Sequence, residues 1–155
     1  MALVELSLSP LTAHVRTARL VVVAVARRAG LDADQVDELR FAVGEACSRA
    51  VGLHAAYAPS EPVVLTVDNL RGTLVVTVTD RGPEAGPALG DLTPGLLELE
   101  LVEGAAEVID PDVALAVLTG LVDDLEIAAS GSGTTVTMRW ALPLTASADL
   151  RALIA

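Results

Sequence analysis

The stretch Phe41-Ala42-Val43-Gly44-Glu45-Ala46-Cys47-Ser48-Arg49-Ala50-Val51, with His54 close behind it, repeats its apolar residues at helical intervals. Leu39, Val43, Ala46, Ala50 and Leu53 follow one another at spacings of four, three, four and three, which stacks them on one helix face. Asp32 or Asp34 supplies the N-cap, the helix runs to about Tyr57, and Pro59 and Pro62 close it. Glu45 and Arg49 stand one turn apart at the edge of that face, where both can reach a cleft. They can equally pair with each other on the helix surface, an interaction worth about 0.3 kcal/mol.

Upstream, Val15, Ala18, Val22, Ala26 and Ala29 make a second amphipathic helix between Leu11 and Ala29. Arg16, Arg19, Arg27 and Arg28 mark its wetter positions, and Gly30 gives the stop. Leu3 to Leu8, ending before Pro10, alternates as a strand with one solvated face does. Downstream, strands Val63 to Val67 and Leu74 to Thr79 are joined through Asn69-Leu70-Arg71-Gly72, and Leu125 to Ala129 and Thr134 to Trp140 flank Ser130-Gly131-Ser132-Gly133. Short glycine-bearing connections predict two antiparallel hairpins.

Between the hairpins, residues 82–109 carry Gly82, Pro83, Gly86, Pro87, Gly90, Pro94, Gly95 and Gly104, the punctuation of a long irregular lid, with one helical turn or strand around Leu96 to Val102. Asp110-Pro111 then opens a buried helix through about Leu121, and residues 147–154 suit a short terminal helix. Helices grouped apart from hairpins predict one α+β domain over residues 1–155. It is a two-layer sandwich of a mixed, mostly antiparallel sheet with helices on one face.

Composition narrows the function. The chain is 52% apolar, mostly Ala, Val and Leu, with Phe41, Tyr57 and Trp140 as its aromatics, so there is little on which nucleobases could stack. A net charge of -11 argues against nucleic acid and anionic membranes as partners and favours a protein. Residues 1–71 hold seven Arg against eight acids, and residues 72–155 three Arg against thirteen. The single Cys47 cannot form an intramolecular disulfide and reads as a small core residue. No secretory leader is visible, and the longest apolar run, Leu20 to Ala26, is far short of the roughly 20 residues of a membrane span, so a cytoplasmic location is expected. His14 and His54 have no second His or Cys at ligand spacing, so no metal centre is expected, and His54 reads as a structural hydrogen-bonder. Walker loops, nucleophile elbows and hydrolase carboxylate pairs are absent from the sequence.

Three motifs carry a resemblance. Phe41 to Val51 looks like an N-box helix, whose pattern is Glu-Ala followed one turn later by Asn-Ala; Thr77-Val78-Thr79-Asp80-Arg81-Gly82 looks like a first glycine box; Gly131-Ser132-Gly133-Thr134-Thr135-Val136 looks like a closing Gly-Thr hairpin. Val15 to Arg19 and Gly30 to Asp34 add to the likeness. In this order, over roughly residues 3 to 140, the set resembles the RsbW-like anti-sigma regulatory factors and serine kinases, which have the histidine-kinase-like ATPase (Bergerat) fold.

The resemblance implies an ATP pocket whose remnants here are Arg49, Asp80, Gly82, Gly133 and Thr134, with Asp80 reading the adenine amino group and Glu45 as the base toward an attacking hydroxyl. Asp80 is also suited simply to start a turn. Where the family has an asparagine that holds Mg²⁺, this chain has Arg49, whose guanidinium only donates and cannot coordinate a cation. Pro83-Glu84 replaces a lid glycine, and Asp110-Pro111-Asp112 replaces the glycine pair that opens a phosphate-binding helix start, although both aspartates also serve as plain caps. Glu84, Asp91, Glu98, Glu100, Glu103 and Glu107 make the lid acidic. The expectation is a regulatory binding protein with a degenerate ATP site and no cofactor, whose partner is a sigma factor or a STAS-domain anti-anti-sigma protein, with a homodimer open. The alternatives are an active serine kinase using ATP and Mg²⁺, and a ligand-free scaffold.

Overall fold

In the computed structural model, residues 2–82, 118, 122 and 124–143 are described. The lid beyond Gly82, the Asp110-Pro111-Asp112 helix start and the terminal segment 147–154 fall outside them, as does Glu84.

The chain begins with β1 (Ala2–Leu8) and passes into two helices, α1 (Thr12–Ala29) and α2 (Ala33–Tyr57). Helix α1 ends where Gly30 enters the left-handed region at φ 100°, and its N–H returns to the carbonyls of Ala26 and Arg27. Of the two candidate caps for α2, Asp32 is the one used: its side chain accepts from Gln35 N–H at 2.8 Å, and the Gln35 side chain accepts from Asp32 N–H at 3.2 Å.

Among the described residues four further strands follow: β2 (Val63–Leu70), β3 (Thr73–Asp80), β4 (Asp124–Ser130) and β5 (Gly133–Ala141). They form one sheet with β1 in the order β1-β2-β3-β5-β4, and every neighbouring pair is antiparallel. The first hairpin is tighter than its sequence suggests. Leu70 pairs with Thr73, so the turn is Arg71-Gly72 alone, with φ of 50° and 79°. Two successive positive φ values give the twist that joins antiparallel strands through two residues.

Side chains alternate across the sheet. Val63, Leu65, Val67, Leu74, Val76, Val78, Val136 and Met138 point inward and are buried with Val15, Ala18, Val22, Leu39, Val43 and Ala50 of the helices. Thr66, Thr77 and Thr137 share one row of the other face, which is partly exposed. Leu118 is helical and fully buried, and its carbonyl accepts from Val122 N–H at 2.9 Å, in keeping with the helix predicted there.

Candidate functional site

The end of β3 meets the middle of α2. Thr77 to Asp80 alternate along β3, so Asp80 turns inward beneath the helix layer, and its side chain is buried. Arg49 stands on the buried face of α2, and its Nη1 donates to Asp80 Oδ2 at 2.7 Å with both side chains 2% exposed or less. The surface pair with Glu45 that the spacing allows is not the pair Arg49 makes. Asp80 Oδ1 accepts from Gly82 N–H at 2.9 Å, so each carboxylate oxygen has a donor.

Glycine is required on both sides of Asp80. At Gly133, φ is 144° and a Cβ would lie 1.9 Å from the Asp80 carbonyl oxygen, so the start of β5 touches the end of β3 backbone to backbone. At Gly82 a Cβ would come within 2.9 Å of Leu53 Cβ on α2. Thr134, the register partner of Asp80, is buried.

His54 ties the same corner together. Its Nδ1–H donates to the Glu61 carbonyl at 2.8 Å, and its Nε2 accepts from Arg81 N–H at 2.8 Å, an arrangement that fixes the neutral Nδ1–H tautomer. The ring is fully buried and links α2, the connection into β2 and the residue after Asp80. It holds the backbone that positions Asp80.

Glu45 lies one turn before Arg49 and is 8% exposed. Burial raises its carboxyl above the ordinary value of 4.5, and the nearby Arg19 charge partly opposes that. Arg19 crosses α2 over Gly44, where a Cβ would lie 3.0 Å from Arg19 Cδ. At Gly44 the missing Cβ makes room for this close approach, whereas Gly52 on the same helix faces open space, so a glycine in the helix pattern does not by itself mark the contact. Burial also pushes the Cys47 thiol up to about 12. Three buried polar atoms have no hydrogen-bond partner among the described residues: Glu45 Oε2, Arg49 Nε and Thr134 Oγ1. All three belong to this region.

A pocket of about 570 Å³ opens beside it, lined by Thr79, Arg81, Ala128, Ser130, Ser132 and Thr135 together with Asp80, Ala129 and Gly133. No α2 residue lines it, so it is not the cleft that Glu45 and Arg49 would border. No group of His, Cys, Asp and Glu suited to a metal ion occurs among the described residues.

The α2–β3–β5 corner and the antiparallel sheet behind it define the class. The model of the histidine kinase-like ATPase domain matches residues 8–140, and the chain belongs to that family. Among solved structures it is similar to the RsbU and RsbW domains of Rv1364c from Mycobacterium tuberculosis, with a TM-score of 0.64 at 20% identity. That likeness covers 92% of this chain and 33% of the other, so this chain spans about a third of that protein's length. No curated protein matches it. No helix among the described residues is long and apolar enough to cross a membrane.

Proposed function

We propose that this chain is an RsbW-like regulator that works by binding a protein partner in a bacterial partner-switching pathway, with its nucleotide site closed from within. The carrying observation is the buried Arg49–Asp80 pair. Asp80 is the carboxylate that the family resemblance assigns to the adenine amino group, and here a guanidinium N–H occupies its Oδ2 at 2.7 Å. Arg49 thus removes the magnesium ligand and fills the adenine reader with one substitution. A magnesium nucleotide does not fit the residues present: it would have to displace a buried charge-assisted hydrogen bond and leave a guanidinium where a metal belongs. The sequence adds Glu84, Asp110 and Asp112 at positions where phosphates would need glycines.

The partner is a sigma factor or a STAS-domain antagonist, by analogy with the family. The helix layer supports a protein partner. Arg16, Arg19, Arg27 and Arg40 gather with Leu20 and Val23 around a groove between α1 and α2, a basic and apolar surface on a chain of net charge -11. Such a groove suits an acidic segment with an apolar anchor.

A second reading, an active serine kinase with Glu45 as base, draws support from the partnerless Glu45 Oε2, Arg49 Nε and Thr134 Oγ1, which a ligand could satisfy. Calorimetric titration with ATP, with and without Mg²⁺, separates the two. The first reading expects no binding to the wild type; recovery in Arg49→Asn, with circular dichroism confirming the fold, would make the buried pair the cause, and recovery only after Glu84, Asp110 and Asp112 are also replaced would make the lid share it. Tight magnesium-dependent binding by the wild type would overturn it.

A further inference from the structure

His54 is a titratable group sealed inside the molecule, and the proposed function makes no use of its titration. Its ring is fully buried, yet both nitrogens are occupied by backbone: Nδ1–H donates to the Glu61 carbonyl at 2.8 Å, and Nε2 accepts from Arg81 N–H at 2.8 Å. Only the neutral ring can hold both. A protonated ring carries a hydrogen on each nitrogen, so Nε2–H would meet Arg81 N–H, donor against donor.

Among the described residues, this corner holds no group free to balance an imidazolium. Arg49 and Tyr57 come from the same helix as His54, Glu61 from the connection into β2, and Asp80 and Arg81 from the end of β3. Arg49 pairs with Asp80 at 2.7 Å and Arg81 with Glu61 at 3.4 Å, so each carboxylate already faces a guanidinium, and Tyr57 is half exposed. A buried charge with no partner of opposite sign is costly, and the fold escapes that cost by separating the ring from Arg81.

The part that gives way is short. β3 makes its last pair where Asp80 meets Thr134; beyond it, Arg81 N–H rests on His54 and Gly82 N–H on Asp80 Oδ1. Residues just past the end of a strand open far more cheaply than the sheet behind them. We propose that His54 is an acid-sensitive latch: the neutral ring clamps the backbone after β3 against α2, and protonation releases Arg81 and Gly82 while the sheet and helices stay folded. The direction follows from which form fits. The clamp is complete with a neutral ring and is lost as pH falls through the histidine range. Release reaches Asp80 as well, since Gly82 N–H is one of the two donors that hold its carboxylate.

Amide hydrogen exchange of the full chain, read by NMR and expressed as protection so that intrinsic exchange rates cancel, tests the latch. Opening takes up one proton, so Arg81 protection should fall about tenfold between about pH 7.5 and about pH 5.5, while Val22 in α1 and Val76 in β3 keep theirs. His54→Gln retains a side-chain donor and acceptor but does not titrate, and its Arg81 protection should be the same at both pH values. Should that variant fold poorly, the wild-type ring supplies the reading. Its nitrogen signals, told apart from those of His14 by His14→Gln, should leave the neutral Nδ1–H pattern over the same pH interval in which the Arg81 amide shifts. Unchanged Arg81 protection in acid would overturn the proposal. So would a loss shared equally by Val22 and Val76, which is unfolding of the whole domain, or a loss that persists in a folded His54→Gln.

Discussion

Arg49 and Asp80 show how far a single residue can shift the meaning of a site. Alone on the buried face of α2, a guanidinium would be a serious liability, and so would a carboxylate at the inward end of β3; together at 2.7 Å they satisfy each other. Asp80→Asn should therefore cost about 3–5 kcal/mol in denaturant unfolding, because it strands a buried charge. The double change Arg49→Met with Asp80→Leu removes both charges and should recover most of that loss, stopping short of the wild type by the roughly 1–3 kcal/mol of a Gly82 N–H left without its acceptor. An Asp80→Asn variant as stable as the parent would show that the pair is not held in a dry environment. Glu45 makes a separate, pH-dependent statement. Its folded-state pKa is raised by burial, so its contribution to stability is complete below about 4.5 and is lost as pH rises through the folded value. Glu45→Gln keeps the shape without the titration, so its melting temperature should exceed that of the wild type near neutral pH and converge with it in acid. A constant difference across the pH range would show that Glu45 ionises in the folded protein as it does in water.

At the scale of elements, the legible features were those written in local chemistry. The four-three periodicity of Leu39 to Leu53, the stop at Gly30 and the two glycine-bearing turns each depend on residues within a few positions of one another, and each element stands where that local chemistry put it. The first hairpin turn looks wider in the sequence than it is, because Asn69 and Leu70 resemble turn and apolar filler although they belong to the strand and the left-handed pair is Arg71-Gly72. What was not legible is what elements do to one another. The i, i+4 spacing pointed Arg49 at Glu45, while its actual partner lies 31 positions away on β3. Gly131 and Gly133 look equivalent in sequence, yet only at Gly133 does a Cβ collide with the Asp80 carbonyl, because the β3–β5 register brings those backbones together. His54 reads as a lone structural histidine until the Glu61 carbonyl and Arg81 N–H are placed on either side of its ring.

For the whole molecule, charge sets the terms of assembly. The chain carries a net charge of -11, against which the groove around Arg16, Arg27 and Arg40 stands out as a local positive surface. Capture of an acidic segment there is driven by attraction that salt removes. With the Debye length falling from about 30 Å at 0.01 M to about 10 Å at 0.1 M, binding of an acidic partner followed by titration calorimetry should weaken across that range. Binding that holds constant as salt rises would mean that apolar contact, and not the arginines, carries the partner.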